Sequence, residues 1–257
     1  MIKIENLYKS FGETQILKDI SMVFEENKTN LIIGQSGSGK TVLLKCIVGL
    51  LAIDHGRIFY DDILFSSLSY KKKKKIRKNI GMVFQGGALF DSETVEANVR
   101  FPLDMFTDMT EKGKLYRVNE CLERVNVTHA NHLYPSEISG GMQKRVAIAR
   151  GIALYPQYLF FDEPISGLDP RTAIRIDRLI GELTQDFNTT TIINTHDMNS
   201  VMEIGDKVIF LHQGQKWWEG SKTDILETEN RELNDFVFAT NLAKTVKDLR
   251  KAGHSSE

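Results

Sequence analysis

The run Gly34-Gln35-Ser36-Gly37-Ser38-Gly39-Lys40-Thr41 constrains this chain more than any other stretch. Its spacing, G-x-x-x-x-G-K-[ST], is that of a loop built to cradle phosphates. The glycines let successive backbone N–H groups turn inward, because no Cβ blocks close approach of the anion. Lys40 supplies a compact cation for β- and γ-phosphates, and the Thr41 hydroxyl can ligate Mg²⁺. The flanks agree: Thr29–Ile33 reads as a short buried strand, and Thr41–Leu51 as an apolar helix whose positive end faces the anion. Gly34, Ser36, Gly37, Ser38, Gly39, Lys40 and Thr41 are therefore the first candidate nucleotide-binding residues.

The chain has 257 residues, ordinary for one α/β domain carrying an insertion, and its 41% apolar content is enough for a large core. The formal net charge of −1 argues against nucleic-acid binding driven by bulk charge. Cys46 and Cys121 sit inside apolar helical patterns without metal-ligand spacing, which suits packing roles in a reducing compartment. The N-terminus opens on an alternating pattern, Met1 to Leu7, with no signal-peptide character, and no apolar stretch is long enough to span a bilayer. Work at a membrane would then go through a partner.

Along the chain, residues up to about 33 read as strands and turns. Phe11 falls in a loop between two of them, as either a core aromatic or an exposed ring that can stack on a base. Gly56–Tyr60 is a further strand. Lys71 to Lys75, with Arg77 and Lys78, reads as a solvated helix face, with a lipid-headgroup or nucleic-acid patch as the alternatives. Ile80–Gln85 is a strand ending on glutamine. From about 88 to 145 the pattern turns helical, punctuated by Pro102 and Pro135, as a helical insertion would be. Tyr158–Glu163 and Thr189–His196 read as buried strands, and Lys207–Leu211 with Gln215–Trp218 as a hairpin about Gln213-Gly214. From Asp224 onward Leu233, Phe236, Leu242, Val246 and Leu249 form one amphipathic stripe, able to pack on its own domain or on a neighbouring copy.

Four apolar residues followed by Asp162-Glu163 deliver two acids to the strand rim where ligands bind in open α/β sheets. Asp162 can hold Mg²⁺, and Glu163 can polarise a water for in-line attack on the γ-phosphate. Gln85 can reach the metal or that water through its side-chain oxygen, and His196 can donate a hydrogen bond to the γ-phosphate. Ser139-Gly140-Gly141 opening a helix is a second anion site. One nucleotide's phosphates are already taken by the first loop, so the second site makes sense if it faces the nucleotide of another copy.

Six motifs, Gly34–Thr41, Gln85, Ile138–Met142, Phe161–Pro164, Ser166–Asp169 and His196, fall in the order and spacing of the ABC-type ATPases, which the chain resembles over residues 1 to about 225. The resemblance implies a P-loop NTPase fold of α/β class: a mostly parallel core sheet, an N-terminal antiparallel β subdomain and an inserted helical subdomain. It divides the chain into a cassette over 1–223 and a C-terminal helical extension over 224–257. It further implies that Phe11 stacks on adenine, that Gln85–Phe90 meets a transmembrane permease, and that Asp169 belongs to a loop crossing the dimer. The usual signature is Leu-Ser-Gly-Gly-Gln; here Ile138 and Met142 depart from it while Ser-Gly-Gly is intact. Within the family, Phe84–Phe90 and Ser139–Met142 look like the ATPase of Mla-type lipid transporters, which work with a permease and a lipid-binding MCE protein. That implies a homodimer around two Mg-ATP at the cytoplasmic face of a bacterial inner membrane. The alternatives are a soluble ATPase of the same family acting on nucleic acid or ribosomes, and an importer or exporter ATPase for another substrate; against the soluble one, neither sustained heptads nor a second phosphate loop is present.

Overall fold

The computed structural model describes residues 1–238. In chain order it carries β1 (Ile2–Phe11), β2 (Thr14–Phe24), β3 (Thr29–Ile33), α1 (Lys40–Ile47), β4 (His55–Tyr60), β5 (Ile63–Leu64), α2 (Tyr70–Arg77), β6 (Ile80–Val83), α3 (Val95–Phe106) and α4 (Glu111–Arg124). There follow α5 (Gly140–Ile152), β7 (Tyr158–Asp162), α6 (Pro170–Asp186), β8 (Thr190–Thr195), α7 (Met198–Ile204), β9 (Lys207–His212), β10 (Gln215–Gly220), α8 (Asp224–Glu227) and α9 (Arg231–Val237).

The strands form two sheets. An antiparallel sheet runs β2-β1-β4-β5, and a six-stranded sheet runs β10-β9-β3-β8-β7-β6, parallel except where β10 returns beside β9. The α/β class and the split into an antiparallel N-terminal sheet and a parallel-rich core sheet are as the motifs imply. The central strands read as unbroken apolar runs because both their faces are covered. On β3, Leu31 and Ile33 enter one buried cluster, with α3 to α7, while Ile32 enters the other, with α1 and the antiparallel sheet. Leu159 and Phe161 of β7 likewise face away from Tyr158 and Phe160.

Several boundaries differ from the sequence reading: the strands read as Ile80–Gln85, Tyr158–Glu163 and Thr189–His196 are each one or two residues shorter. The helix expected to run to Leu51 stops at Ile47, because Gly49 takes φ +75 and its N–H returns to Cys46 O at 3.0 Å, while Leu50 N returns to Lys45 O at 2.8 Å. A left-handed glycine of this kind closes a helix end. Pro102 does not break the insertion but lies inside α3, and α5 runs on past residue 145 to Ile152. The C-terminal stripe is not one helix: Thr228 leaves the helical region and Asn230 caps a new start, its Oδ1 accepting from Leu233 N at 2.9 Å. Leu233 is buried in the chain's own core, and Phe236 stacks on Phe210 with centroids 5.5 Å apart. Leu242, Val246 and Leu249 lie outside the described residues.

Candidate functional site

The phosphate loop leaves β3 at Gly34, where φ is +152 and a Cβ would sit 2.3 Å from the Leu211 carbonyl oxygen of β9. Only glycine lets the loop pass so close to the neighbouring strand. At Gly37, φ +81, a Cβ would meet nothing within 4 Å, so the concavity is open on that side. Ser38 Oγ is buried without a hydrogen-bond partner among the described residues. An orphaned buried hydroxyl in a loop with the spacing of a phosphate cradle is a donor left for an anion.

Lys40 opens α1 and is buried, its Nζ donating to Gly34 O at 2.7 Å and Gln35 O at 3.1 Å and standing 4.0 Å from Glu163 Oε1. Burial lowers its pKa, against the pull of Glu163 and Asp162. Thr41 Oγ1 donates to Asp162 Oδ1 at 2.9 Å, across 121 positions of sequence. Asn194 Nδ2 of β8 donates to the same oxygen at 3.1 Å, and Asn194 Oδ1 is buried without a partner among the described residues. A hydroxyl and a carboxylate in contact beside a phosphate cradle form a hard oxygen pair suited to Mg²⁺. The residues present fit a Mg²⁺-nucleotide.

Glu163 follows β7 with φ +50, a left-handed backbone on a non-glycine residue, and its N–H donates to Asn194 O at 3.0 Å. Strain of this kind gathers at functional positions. The turn aims the side chain across the sheet rim, where Oε2 lies 2.8 Å from His196 Nδ1, the residue after β8. The parallel pairing of β7 with β8, Asp162 opposite Asn194, sets this contact. Gln85, two residues beyond β6, reaches Ser166 Oγ at 3.5 Å. Gln85, Glu163 and His196 share with the phosphate loop one cleft of about 600 Å³.

Three groups of predicted residues lie elsewhere. Phe11 sits at the β1–β2 turn, 48% exposed, with Lys9 Nζ 5.3 Å from its ring centroid, and it does not line the phosphate cleft. Ser139 caps α5, its Oγ accepting from Met142 N at 3.3 Å; neither it nor Gly140 or Gly141 lines the cleft. Asp169 caps α6, accepting from Arg171 N and Thr172 N at 3.1 Å each, and the hydrogen bonds from Thr172 foremost hold its carboxyl below the usual range.

Several residues at the site escaped the motif reading. Lys144 of α5 contacts Gln85 O, and Arg150 of the same helix donates to Gly87 O at 2.7 Å and Ala88 O at 2.8 Å, so α5 anchors the loop after β6. Asn98 of α3 is buried and exchanges hydrogen bonds with both Phe90 backbone groups, at 2.8 and 3.1 Å. For Asn98 a lone polar residue at an inward helical position was the available signal, whereas Lys144 stands in the polar run Gln143–Arg145 and gave none.

The family model described as "ABC transporter" matches residues 17–166. The chain belongs to the ABC transporter ATP-binding family. It is accordingly an ATPase, and its cofactors are ATP and Mg²⁺. Relatives of this cassette include the methionine import ATP-binding protein MetN of Campylobacter jejuni, 37% identical over 253 residues, 92% of this chain and 75% of the relative. The intermembrane phospholipid transport system ATP-binding protein MlaF of Haemophilus influenzae is 35% identical over 237 residues, covering 92% and 90%. Among solved structures, a dimeric ATP-binding cassette in a post-hydrolysis state bound to ADP and Pi superimposes with TM-score 0.79 at 33% identity, covering 86% of this chain and 99% of that one. The cassette cbiO1 from Clostridium perfringens, part of the transporter complex cbiONQ, gives TM-score 0.82 at 29% identity, covering 97% and 98%.

Proposed function

We propose that this cassette is the ATP-hydrolysing subunit of an Mla-type transporter, powering movement of phospholipid between the membranes of a bacterial envelope. In this reading Gly34 to Thr41 bind the triphosphate, with the Ser38 hydroxyl and Lys40 ammonium as donors, and Thr41, Asp162 and Gln85 hold the metal. Bound Mg²⁺ would supply charge neutralisation at the β- and γ-phosphates. Glu163 takes the proton of the attacking water; His196, 2.8 Å away, orients that carboxylate and meets the γ-phosphate side of the cleft. Phe11 stacks on the base at the outer edge.

The observation that carries the dimeric part is the separation of the two anion-seeking loops: Ser139–Gly141 caps a helix outside the cleft that Gly34–Thr41 lines. Two copies arranged head to tail bring each Ser-Gly-Gly, and Asp169 beside it, to the partner's nucleotide. Contacts to a γ-phosphate exist only before hydrolysis, so turnover opens the pair. The motion passes to a permease through Gln85–Phe90, which α5 holds by Lys144 and Arg150. An apolar groove beside that loop, lined by Phe84, Phe90, Phe101 and Phe106, suits a permease segment. No helix among the described residues is long and apolar enough to cross a membrane, in keeping with peripheral attachment at the cytoplasmic face of the inner membrane.

The lipid assignment is supported by Phe84–Phe90 and Ser139–Met142 and by the phospholipid-transport relative. The methionine-import relatives favour a second reading, a small-molecule importer. Isolation of the detergent-solubilised complex separates the two. A permease, a lipid-binding MCE protein and bound phospholipid are expected. A permease with a soluble-ligand receptor and no lipid supports the importer, and recovery with ribosomes or nucleic acid overturns both.

A further inference from the structure

Helix α2 carries Lys71 to Lys75 and Arg77, and Lys78 follows it, seven cations within eight positions of a chain whose net charge is −1. The helix is held by a narrow inner face. Lys73, Ile76 and Arg77, spaced i, i+3 and i+4, are half-buried. Arg77 Nε donates to Val48 O at 3.1 Å and its Nη2 contacts Gly49 O, so the guanidinium closes the end of α1. Lys73 Nζ lies 5.5 Å from the Phe65 ring centroid. The outer face, Lys71, Lys72, Lys74 and Lys75 with Lys78 beyond, is exposed, and Tyr70 beside it is 76% exposed.

Among the described residues, no carboxylate neutralises this face. Cations elsewhere pair with carboxylates, as Lys114 does with Asp104 at 2.6 Å and Lys207 with Glu219 at 2.6 Å. None of the seven cations from Lys71 to Lys78 forms an ion pair among the described residues. A fold whose only need were solubility would not gather unpaired like charges on one short helix, since they repel one another.

The helix also has a definite address. Lys74 and Lys78 stand 5.8 and 5.6 Å from the centroid of Phe106, and Lys78 Nζ donates to Phe106 O at 3.3 Å. Phe106 and Arg77 both line the apolar groove beside Gln85–Phe90. The basic face and the groove therefore share an edge. A cassette docked on a permease through that groove therefore carries the basic edge on its permease-facing side.

We propose that the exposed face of α2 binds the anionic headgroups of that bilayer. Clustered lysines near a membrane surface are drawn to acidic lipids within about 8 Å, a Debye length at physiological salt, and Tyr70 adds a ring suited to the headgroup layer. The contact would orient the cassette under its permease and raise its local concentration there. The membrane is favoured over nucleic acid because the patch continues the permease groove. The inference thus rests on the groove reading of the proposed function.

The test is sedimentation of the full chain with vesicles of phosphatidylglycerol and phosphatidylethanolamine, against phosphatidylcholine alone. The comparison variant carries Lys71→Gln, Lys72→Gln, Lys74→Gln and Lys75→Gln, all solvent-facing, with basal ATPase activity as the control for folding. Wild type is expected on the anionic vesicles only and to be released by raised salt. The variant should bind up to roughly a thousandfold more weakly, with ATPase activity unchanged. Equal binding by the two proteins, absence of wild-type binding to anionic vesicles, or complete displacement by an equal charge of duplex RNA overturns the inference. Wild-type complexes that retain the permease while failing to bind vesicles overturn it alone. Vesicle binding by a chain that never recovers a permease supports the patch and overturns the transporter reading.

Discussion

Asp177→Asn tests how α6, which begins at the Asp169 cap, is joined to α7, which begins just after His196. Asp177 is 2% exposed; Oδ2 accepts from Ser200 Oγ of α7 at 2.8 Å, while Oδ1 has no partner among the described residues. Burial pushes its carboxyl up from 3.8 to about 6, against the Ser200 hydrogen bond and with help from Asp197 and Glu203. A carboxyl that is harder to ionise in the folded chain costs nothing below the unfolded value. Stability is then lost as pH rises from about 4 through about 6. Two units of displacement correspond to about 3 kcal/mol at pH 7, an upper bound for this side chain. The amide keeps an oxygen for Ser200 and removes the charge, but sets an N–H₂ where Oδ1 stood, a pH-independent cost of about 1–3 kcal/mol. Urea unfolding of both proteins at pH 4, 5, 6 and 7 separates the two contributions. The stability difference should move in favour of the variant by about 2–3 kcal/mol between pH 4 and pH 7. A difference that stays constant across that range would refute the reasoning, whatever its size.

Other perturbations follow from single contacts. Glu163→Gln should lower turnover by at least about a hundredfold while ATP binding persists, giving a dimer in size-exclusion chromatography only with ATP; wild-type turnover would remove Glu163 from its proposed role. Gly34→Ala drives a Cβ to 2.3 Å from the Leu211 carbonyl, a backbone atom of β9 that cannot swing aside. It should lose roughly 1–3 kcal/mol or more, read as a fall in melting temperature, together with ATP affinity. Burial pushes the Cys46 and Cys121 thiols up to about 11 and about 12. Neither should react with iodoacetamide at pH 8 until the protein is unfolded, and alkylation of the native chain would contradict the packing.

The local structure of the candidate site is written in contiguous stretches, and that was legible. A glycine loop, an acid pair closing an apolar strand and a Ser-Gly-Gly opening a helix each carry their meaning within a few positions, because backbone conformation and capping are local. The central strands were legible as well, since burial on both faces leaves an uninterrupted apolar run. What the tertiary structure alone decided is which distant groups meet. Strand order brings Asp162 to Thr41 and Asn194, and aligns Glu163 with His196. Helix packing lays Lys144 and Arg150 against the loop of Gln85 and joins Asp177 to Ser200. The same packing sets the lysine run, which as sequence reads as a solvated helix face, beside Phe106 and its groove. Periodicity records whether a position is buried, not what it is buried against; that depends on contacts closed across long loops, whose partners no local pattern encodes.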